Sequence, residues 1–346
     1  MKNNFYTDIL SGINLSELEK THYNSRVLII DSMNMFIRGF SVLNYLNENG
    51  HHVGGLIGYL RSLGHCIKLI NPTRVILVFD GMGSTTNKKN LYPEYKANRN
   101  LTKITNWEIF ENKNDEKESM TNQMVRLIQY LQRLPVTLIS IDKIEADDSI
   151  AYLSKELYKK TPDGKVTIVS SDNDFLQLVN DRITVYSPIK KKFYYTKDFI
   201  QEYNIIPENY ILMKTVLGDK SDNLPGVRGI QEKKLIKLFP FITESRKYTI
   251  EDVYSYASQN IGENKLYGSV LERKHQLEIN HTLMNLIDLN LPQNAIEELD
   301  ECILYKPDPL DKINFVHLYN EDRLGRYIPN YDIWLNECFN YLNSFI

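Results

Sequence analysis

Short apolar segments that end at an acidic residue recur along the first half of the chain. Two of them, residues 26–31 (RVLIID) and 74–80 (RVILVFD), are rich in β-branched residues and end at Asp31 and Asp80. Such runs are typical of buried strands. Between them, residues 54–69 place apolar side chains at helical spacing, so the two strands and this helix predict one βαβ unit.

The same alternation continues to about residue 190. Helices are predicted at residues 121–134 and from residue 145 onward, and strands at residues 135–141, 165–171 and 183–188. Strands that alternate with helices at this spacing form a largely parallel sheet with helices on both faces. The predicted fold class is therefore α/β, with a mainly parallel, doubly wound sheet.

Two regions depart from this rhythm. Residues 85–119 are polar, with basic residues first and an acidic end, and the chain from about Tyr210 onward has the pattern of helices. We expect an N-terminal extension at residues 1–25, an α/β domain at 26–205 and a helical domain at 206–346. We predict that the apolar residues of the extension pack on the rest of the protein. The alternative is that they dock to a partner protein. These residues are Ile9, Leu10, Ile13, Leu15 and Leu18.

Composition excludes several classes of protein. The three cysteines, Cys66, Cys302 and Cys338, are far apart in the sequence, so neither a disulfide framework nor a cysteine zinc site is expected. No apolar run approaches the roughly 18 residues that a membrane span needs. The first twenty residues contain acids and no long apolar block, so no targeting signal is expected. We therefore expect a cytoplasmic protein.

Nine acidic residues follow the predicted strands or open the helical region. The carboxyl ends of parallel strands meet at one edge of a sheet, and ligands bind outside that edge. We therefore expect the acids that follow four different strands to converge. The nine residues are Asp31, Asp80, Glu145, Asp147, Asp148, Asp172, Asp174, Asp219 and Asp222.

Each of these acids alone has an ordinary explanation, because aspartate is a favoured cap at the start of a helix. Together they would repel, since two carboxylates about 4 Å apart repel by roughly 1–4 kcal/mol. Divalent cations would remove that repulsion, and oxygen ligands without a His or Cys cluster favour Mg²⁺ or Mn²⁺. Two such ions suit phosphoryl chemistry, and the sequence has no Walker loop or G-x-G-x-x-G motif, so a phosphodiester is the expected substrate. The formal net charge of −3 is no obstacle, because the chain without these nine acids is net positive.

Six motifs occur in the order seen in 5′ nucleases. They are DSMNMFIR from Asp31, FDG around Asp80, YPEYKANR ending at Arg99, EADD from Glu145, SSDNDF around Asp172 and GDKSDNLPGVRGI from Gly218. The chain resembles the flap endonuclease and 5′-to-3′ exonuclease family from about residue 26 to residue 238, and is most similar to its stand-alone bacteriophage members. The resemblance implies a PIN-like fold with a helical arch at about residues 85–120 and a helix-hairpin-helix variant at about 215–240.

The resemblance also implies roles for the acids. Two divalent cations, Mg²⁺ or Mn²⁺, would be bound, and Asp147 would belong to the catalytic residues. Ligands of the first ion would be Asp31, Asp80, Glu145 and Asp147, with Asp148 close by. Ligands of the second ion would be Asp172, Asp174, Asp219 and Asp222.

Basic residues of the matched motifs are implied to contact DNA. Lys96 and Arg99 match the base of the arch, where the family contacts the scissile phosphate, and Arg38 matches an arginine near it. From spacing alone, a solvated basic loop explains Lys96 and Arg99 equally well. Tyr95 is a candidate for stacking on an unpaired base, although core packing is the simpler prediction. Residues 190–195 (KKKFYY) are predicted to form an edge strand protected by lysines rather than a DNA contact.

The hairpin motif is implied to bind duplex DNA without reading its sequence. Gly226 and Gly229 would let backbone N–H groups approach a phosphate, and K⁺ would assist binding there. Gln231 stands where the family usually has glycine. The lysines that would add positive charge are Lys233, Lys234 and Lys237.

The resemblance implies a structure-specific, metal-dependent 5′ nuclease that acts on DNA with 5′ flaps, nicks or RNA primers. It implies a monomer that removes primers in phage replication, in the host cytoplasm, with a single-stranded-DNA-binding protein or a sliding clamp as partner. One alternative is a PIN-type endoribonuclease, which lacks the hairpin and the arch. A second is a DNA-structure-binding protein without activity, against which the intact acids argue. A haloacid-type phosphatase would need D-x-D where this chain has DSM from Asp31.

Overall fold

A six-stranded sheet lies at the centre of the computed structural model, which describes residues 23–99, 104–161 and 163–346. Its strands are β1 (Arg26–Asp31), β2 (Arg74–Val78), β3 (Thr137–Ile139), β4 (Lys165–Val169), β5 (Ile183–Ser187) and β6 (Lys192–Tyr194). They pair in the order β3-β2-β1-β4-β5-β6, and only β6 is antiparallel to its neighbour. The mainly parallel sheet is therefore confirmed, and so is the lysine-flanked edge strand.

Helices cover both faces of this sheet. They are α1 (Ser32–Val42), α2 (Gly54–Ile70), α4 (Lys113–Leu131), α5 (Ala146–Lys159) and α6 (Thr196–Tyr203). The short helix α3 (Thr86–Leu91) between α2 and α4 has no buried residue. Val27 and Ile29 of β1 belong to the same hydrophobic cluster as the apolar residues of α5. Leu28 and Ile30 belong to a second cluster with α1, α2 and α4. A strand that is covered on both faces needs a continuous apolar run, which is what the sequence of β1 provides.

Helix α4 begins at Lys113, earlier than the predicted start at residue 121. The side chain of Asn112 accepts a hydrogen bond from the backbone N–H of Asp115 and so caps the helix. Asp115 and Glu116 lie in the first turn, where the helix dipole stabilises negative charge. The acids at the end of the polar region 85–119 therefore lie in the first turn of a helix, which begins earlier than predicted.

Helices dominate the chain after residue 205, as predicted. They are α7 (Tyr210–Leu217), α8 (Glu232–Leu238), α9 (Ile250–Gln259), α10 (Lys265–Glu272), α11 (Lys274–Met284), α12 (Gln293–Leu304), α13 (Lys312–Glu321) and α14 (Tyr331–Cys338). Two short strands, β7 (Gly218–Asp219) and β8 (Leu224–Pro225), form a hairpin between α7 and α8. Residues of α7 to α12 belong to the hydrophobic cluster of α5, and residues of α13 and α14 to that of α2. The domain boundary at residues 205–206 stays a prediction, because both clusters cross it.

Some predictions lie outside the described residues. They concern the packing of Ile9, Leu10, Ile13, Leu15 and Leu18, and part of the predicted arch, residues 100–103. Within the ranges that are described, no helix is both long and apolar enough to cross a membrane.

Candidate metal and nucleic-acid site

Strand ends and helix starts place the predicted acids of the α/β part at one edge of the sheet. Asp31 ends β1 and caps α1, where its carboxylate accepts hydrogen bonds from the Asn34 backbone N–H at 3.1 Å and from Ser170 Oγ at 2.9 Å. Asp80 follows β2 and accepts a hydrogen bond from the Ala146 backbone N–H at 2.9 Å. Helix capping therefore does explain Asp31, and this role is compatible with a place in a metal site.

The carboxylates are close enough to raise one another's pKa. Burial raises the pKa of Asp31 to about 6, and the negative charges of Asp172 and Asp80 add to this effect. Burial, with the charges of Asp172 and Asp31, raises the pKa of Asp147 well above its usual value. Burial and the charge of Asp172 also raise the pKa of Asp174 to about 7. Acids from four strand ends therefore lie together, as the parallel topology requires.

Two lysines lie against the acids at the start of α5. Lys88 Nζ is 2.8 Å from one carboxylate oxygen of Glu145 and 3.1 Å from Asp148. Lys96 Nζ is 2.5 Å from the other oxygen of Glu145. Burial alone would raise the pKa of Glu145, but the charges of Lys88 and Lys96 lower it to about 2. Glu145 is therefore ionised and carries two ammonium partners.

Two more basic residues pair with the acids that precede and follow α7. Lys214 Nζ is 2.8 Å from Asp174 and 2.6 Å from Asp219. Against the effect of burial, the hydrogen bond from Lys214 helps to lower the pKa of Asp219 to about 2. The guanidinium of Arg99 is 2.6 Å from Asp222. Three of the four acids predicted for the second ion, Asp174, Asp219 and Asp222, are thus in contact with positive charge.

Oxygen ligands are plentiful at this edge, but they do not form a finished metal cage. Among the residues that the structure describes, no group of three or more His, Cys, Asp or Glu side chains is arranged so that it could hold an ion. Lysines lie among the carboxylates instead. The donor set nevertheless fits a hard divalent cation. Buried Oδ1 of Asp174 lacks a hydrogen-bond partner, although the Lys214 ammonium is near it.

Tyr95 belongs to the core. Its side chain is 2% exposed. It packs with Ile211, Leu224, Leu283 and Met284. Its hydroxyl donates a hydrogen bond to Glu145 at 3.0 Å and to Asp222 at 3.2 Å. The prediction that Tyr95 stacks on a base is wrong in this structure, because the ring is not accessible, and the alternative of core packing is confirmed.

The segment that carries Lys96 and Arg99, residues 92–99, is joined to the hairpin of residues 218–225. Lys96 has a φ of 56°, and its backbone N–H donates to the carbonyl of Asp222 at 2.9 Å. Side-chain amides add two more links, from Asn98 to the carbonyl of Lys220 at 2.6 Å and from Asn223 to the carbonyl of Glu94 at 2.8 Å. These contacts fix Lys96 and Arg99 beside the acids.

Arg38 lies on α1, two turns after Asp31, and is half-buried. Burial lowers the pKa of its guanidinium, and Cys66 and Tyr186 are its ionisable neighbours. No acid of the described ranges pairs with it. The structure therefore leaves this charge available for a phosphate, and its contact with DNA stays a prediction.

The predicted helix-hairpin-helix is present as α7, the β7–β8 hairpin, a loop and α8. Gly226 lies where a Cβ atom would be 2.0 Å from the carbonyl oxygen of Leu217, and Gly229 has a φ of 83°. Both positions therefore need glycine. Gln231 has a φ of −123°, so glycine is not required there. Exposed lysines of α8 are Lys233, Lys234 and Lys237.

Lys88 and Lys214 were not among the predicted site residues. Lys214 had a usable signal, because it is the one charged residue in the apolar sequence of α7, YILMKTVL. A lone lysine in such a helix needs an acidic partner when it is buried. Lys88 had no signal of this kind, since its neighbour Lys89 is equally basic.

Comparisons with known proteins agree with this geometry. Residues 26–204 match the family described as 5′-3′ exonuclease, N-terminal resolvase-like domain. A 5′-3′ exonuclease of Bacillus subtilis (strain 168) is 32% identical over 224 residues, which are 62% of this chain and 70% of that protein. DNA polymerase I of the same strain is 31% identical over 219 residues, which are 62% of this chain but 23% of the polymerase.

A structure of the T5 5′-exonuclease with zinc bound has the same fold. Its TM-score with this chain is 0.65 at 20% identity, and the match covers 82% of this chain and 100% of that one. The predicted PIN-like fold is therefore confirmed. Since the family match extends over more than half of the sequence and includes the strands that position the acids, the chain belongs to the 5′-3′ exonuclease family.

Proposed function

We propose that this enzyme is a structure-specific 5′ nuclease that hydrolyses phosphodiesters in DNA with 5′ flaps, nicks or RNA primers. The observation that carries the proposal is the convergence of acids from four strand ends beside Lys96 and Arg99. Carboxylates that can hold hard cations, next to basic side chains that can bind a phosphate, suit in-line displacement at phosphorus.

Two divalent cations, Mg²⁺ or Mn²⁺, are the proposed cofactors. The T5 5′-exonuclease has been solved with divalent metal ions bound. When bound, such ions generate a hydroxide and stabilise charge on the attacking and leaving oxygens. The proposed ligands of the first are Asp31, Asp80, Glu145, Asp147 and Asp148. Those of the second are Asp172, Asp174, Asp219 and Asp222.

Basic side chains are proposed to position the scissile phosphate. Lys96 now pairs with Glu145, and Arg99 pairs with Asp222. Both contact acids of the proposed ion sites, so a phosphate bound next to those ions would come within reach of their positive charge. Arg38 is the third candidate, because it is half-buried and has no acidic partner in the described ranges. The products would carry a 5′-phosphate and a 3′-hydroxyl.

The hairpin of residues 218–225 and α8 are proposed to bind the duplex. Gly226 and Gly229 lie in the loop that follows the hairpin: the first lets this loop lie against the Leu217 carbonyl, and the second has a positive φ that favours glycine. The N–H groups of the loop are proposed to bind a phosphate, with K⁺ as a proposed further ligand. The positive charge comes from Lys233, Lys234 and Lys237. Contacts of this kind hold the backbone of any sequence.

Gly226→Ala is expected to weaken binding to nicked duplex DNA by about tenfold or more. The new Cβ atom would lie 2.0 Å from the Leu217 carbonyl oxygen, so the loop must shift. Fluorescence anisotropy with a labelled nicked duplex measures the effect. Gly262→Ala is the matched control, because nothing lies within 4 Å of the position that its new methyl group would take. If the two variants bind the nicked duplex with equal affinity, the hairpin is not part of the DNA-binding surface.

The same proposal includes the cellular context. Because the proposed substrates include RNA-primed DNA, the enzyme would act at the replication fork, in the cytoplasm of a bacterial cell or of a phage host. It is proposed to act as a monomer. A single-stranded-DNA-binding protein or a sliding clamp is the proposed protein partner there. A PIN-type endoribonuclease is less well supported, because such enzymes lack the hairpin between α7 and α8 that is present in this chain.

Cleavage assays with labelled substrates test the proposal directly. A 5′-flap duplex, a nicked duplex, an RNA-primed duplex and a single-stranded RNA of the same length are incubated with Mg²⁺ or with EDTA. We expect cleavage of the first three only with Mg²⁺, and product ends with 5′-phosphate and 3′-hydroxyl. Cleavage of the RNA alone would favour the endoribonuclease, and no cleavage in any metal would favour a binding protein.

A further inference from the structure

The side chain of Lys88 extends from the exposed helix α3 to the acids at the start of α5. The other residues of α3 are exposed to solvent, whereas the Lys88 side chain is 15% exposed. It pairs with Glu145 and Asp148, which are 2% and 15% exposed. Surface ion pairs contribute little to stability, but a pair that is shielded from water interacts more strongly. Lys88 therefore compensates two acids that are both proposed ligands of the first ion.

Lys214 occupies the equivalent place at the other ion site. It is the one charged residue of the apolar helix α7, and its side chain is 16% exposed. It pairs with Asp174 and Asp219, which are 15% and 19% exposed. Each proposed ion site therefore contains one lysine that bridges two of its carboxylates.

At each proposed ion site, both oxygens of one carboxylate already have partners. One oxygen of Glu145 contacts Lys88 and the other contacts Lys96. One oxygen of Asp219 contacts Lys214, and the other accepts hydrogen bonds from the backbone and hydroxyl of Ser221 at 2.7 and 2.6 Å. A divalent cation that binds either carboxylate must therefore displace one of these hydrogen-bond or ion-pair partners. The positive charge of the lysine repels the cation as it binds.

We infer that Lys88 and Lys214 are internal counterions, one for each ion site, which hold the carboxylates together before metal binds and which the metal ions displace. The inference rests on the proposed function, because it concerns the same ion sites. Each lysine stabilises the metal-free protein and lowers its affinity for the cation. The enzyme thereby keeps a folded cleft at low metal concentration.

Calorimetric titration of the DNA-free protein with Mn²⁺ tests this inference. Lys88→Met is expected to bind Mn²⁺ about tenfold more tightly than the wild type, because one positive charge next to the ion is lost. The matched control is Lys89→Met, since Lys89 is the exposed neighbour on α3 and pairs with none of the described residues. Lys214→Met is expected to tighten binding in the same way, with exposed Lys220→Met as its control.

Thermal unfolding provides the second measurement. In EDTA, Lys88→Met and Lys214→Met are expected to unfold at lower temperature than the wild type, and Mn²⁺ is expected to restore most of the difference. Lys88→Gln serves if the methionine variant does not fold. If the wild type binds Mn²⁺ and these variants bind it equally or more weakly, the inference about the two lysines is wrong, and the proposed function is not affected. A wild type that binds no Mn²⁺ overturns the proposed function as well.

Discussion

Asp147→Asn is expected to abolish cleavage of 5′-flap DNA in Mg²⁺ while the affinity for the same flap stays within a few fold of the wild type. Asp147 lies in the first turn of α5, and the acidic residues whose charges raise its pKa are Asp172 and Asp31, which are proposed ligands of the two different ions. Asparagine keeps the shape of the side chain but removes the negative charge that a hard cation needs. Denaturing gels measure cleavage, and anisotropy in EDTA measures binding.

The same substitution is expected to stabilise the metal-free protein. Burial and the charges of Asp172 and Asp31 raise the pKa of Asp147, so its ionised carboxylate destabilises the folded state above that pKa. A neutral amide removes this penalty, and the unfolding midpoint in EDTA should rise at neutral pH. A higher midpoint together with lost activity shows that misfolding is not the cause. Cleavage at the wild-type rate would contradict the assignment of Asp147.

Lys96→Ala is expected to lower turnover by roughly 10² or more, with little change in duplex affinity. Its ammonium lies 2.5 Å from Glu145 and is held there by a backbone anchored to Asp222. From this position it can balance the charge that develops on the phosphate as the bond breaks. Single-turnover cleavage with enzyme in excess separates this chemical effect from binding.

A nearby lysine provides the control for Lys96. Lys89→Ala removes the same charge from an exposed position of α3 and is expected to leave single-turnover cleavage nearly unchanged. If Lys96→Ala loses affinity and keeps the rate of the bound complex, Lys96 acts in attracting DNA and has no role in the chemical step. Arg99 is expected to show a smaller effect, because its side chain is 55% exposed.

The sheet and the place of the acids could be predicted from the sequence because both follow from periodicity. The apolar run of β1 requires burial on two faces, and a parallel sheet brings the acids after β1, β2, β3 and β4 to the same edge. No contact between particular side chains is needed for that argument. The hairpin was predicted from the resemblance of its motif to the 5′ nuclease family and not from periodicity.

Pairing between side chains could not be predicted in the same way. Tyr95 and Lys96 are adjacent in the sequence, and the hydroxyl of the first and the ammonium of the second contact the two oxygens of Glu145, a residue about fifty positions further along that the sequence does not indicate as their partner. Lys214 contacts Asp174 because α7 packs beside the residues that follow β4. The lone lysine in an apolar helix indicates that an acidic partner is needed, but not which acid it is. The start of α4 was missed because capping by Asn112 outweighs the lack of an apolar face.

The links between residues 92–99 and the hairpin of residues 218–225 have a consequence for where the enzyme cuts. A duplex that is held by the hairpin and a phosphate that is held by Lys96 share one scaffold, joined through Asn98, Asn223 and the backbone of Lys96. In the proposed function, the distance between the bound DNA duplex and the cleaved bond is thus set by the structure of the protein. The enzyme would therefore cut at a fixed distance from the junction, whatever the base sequence.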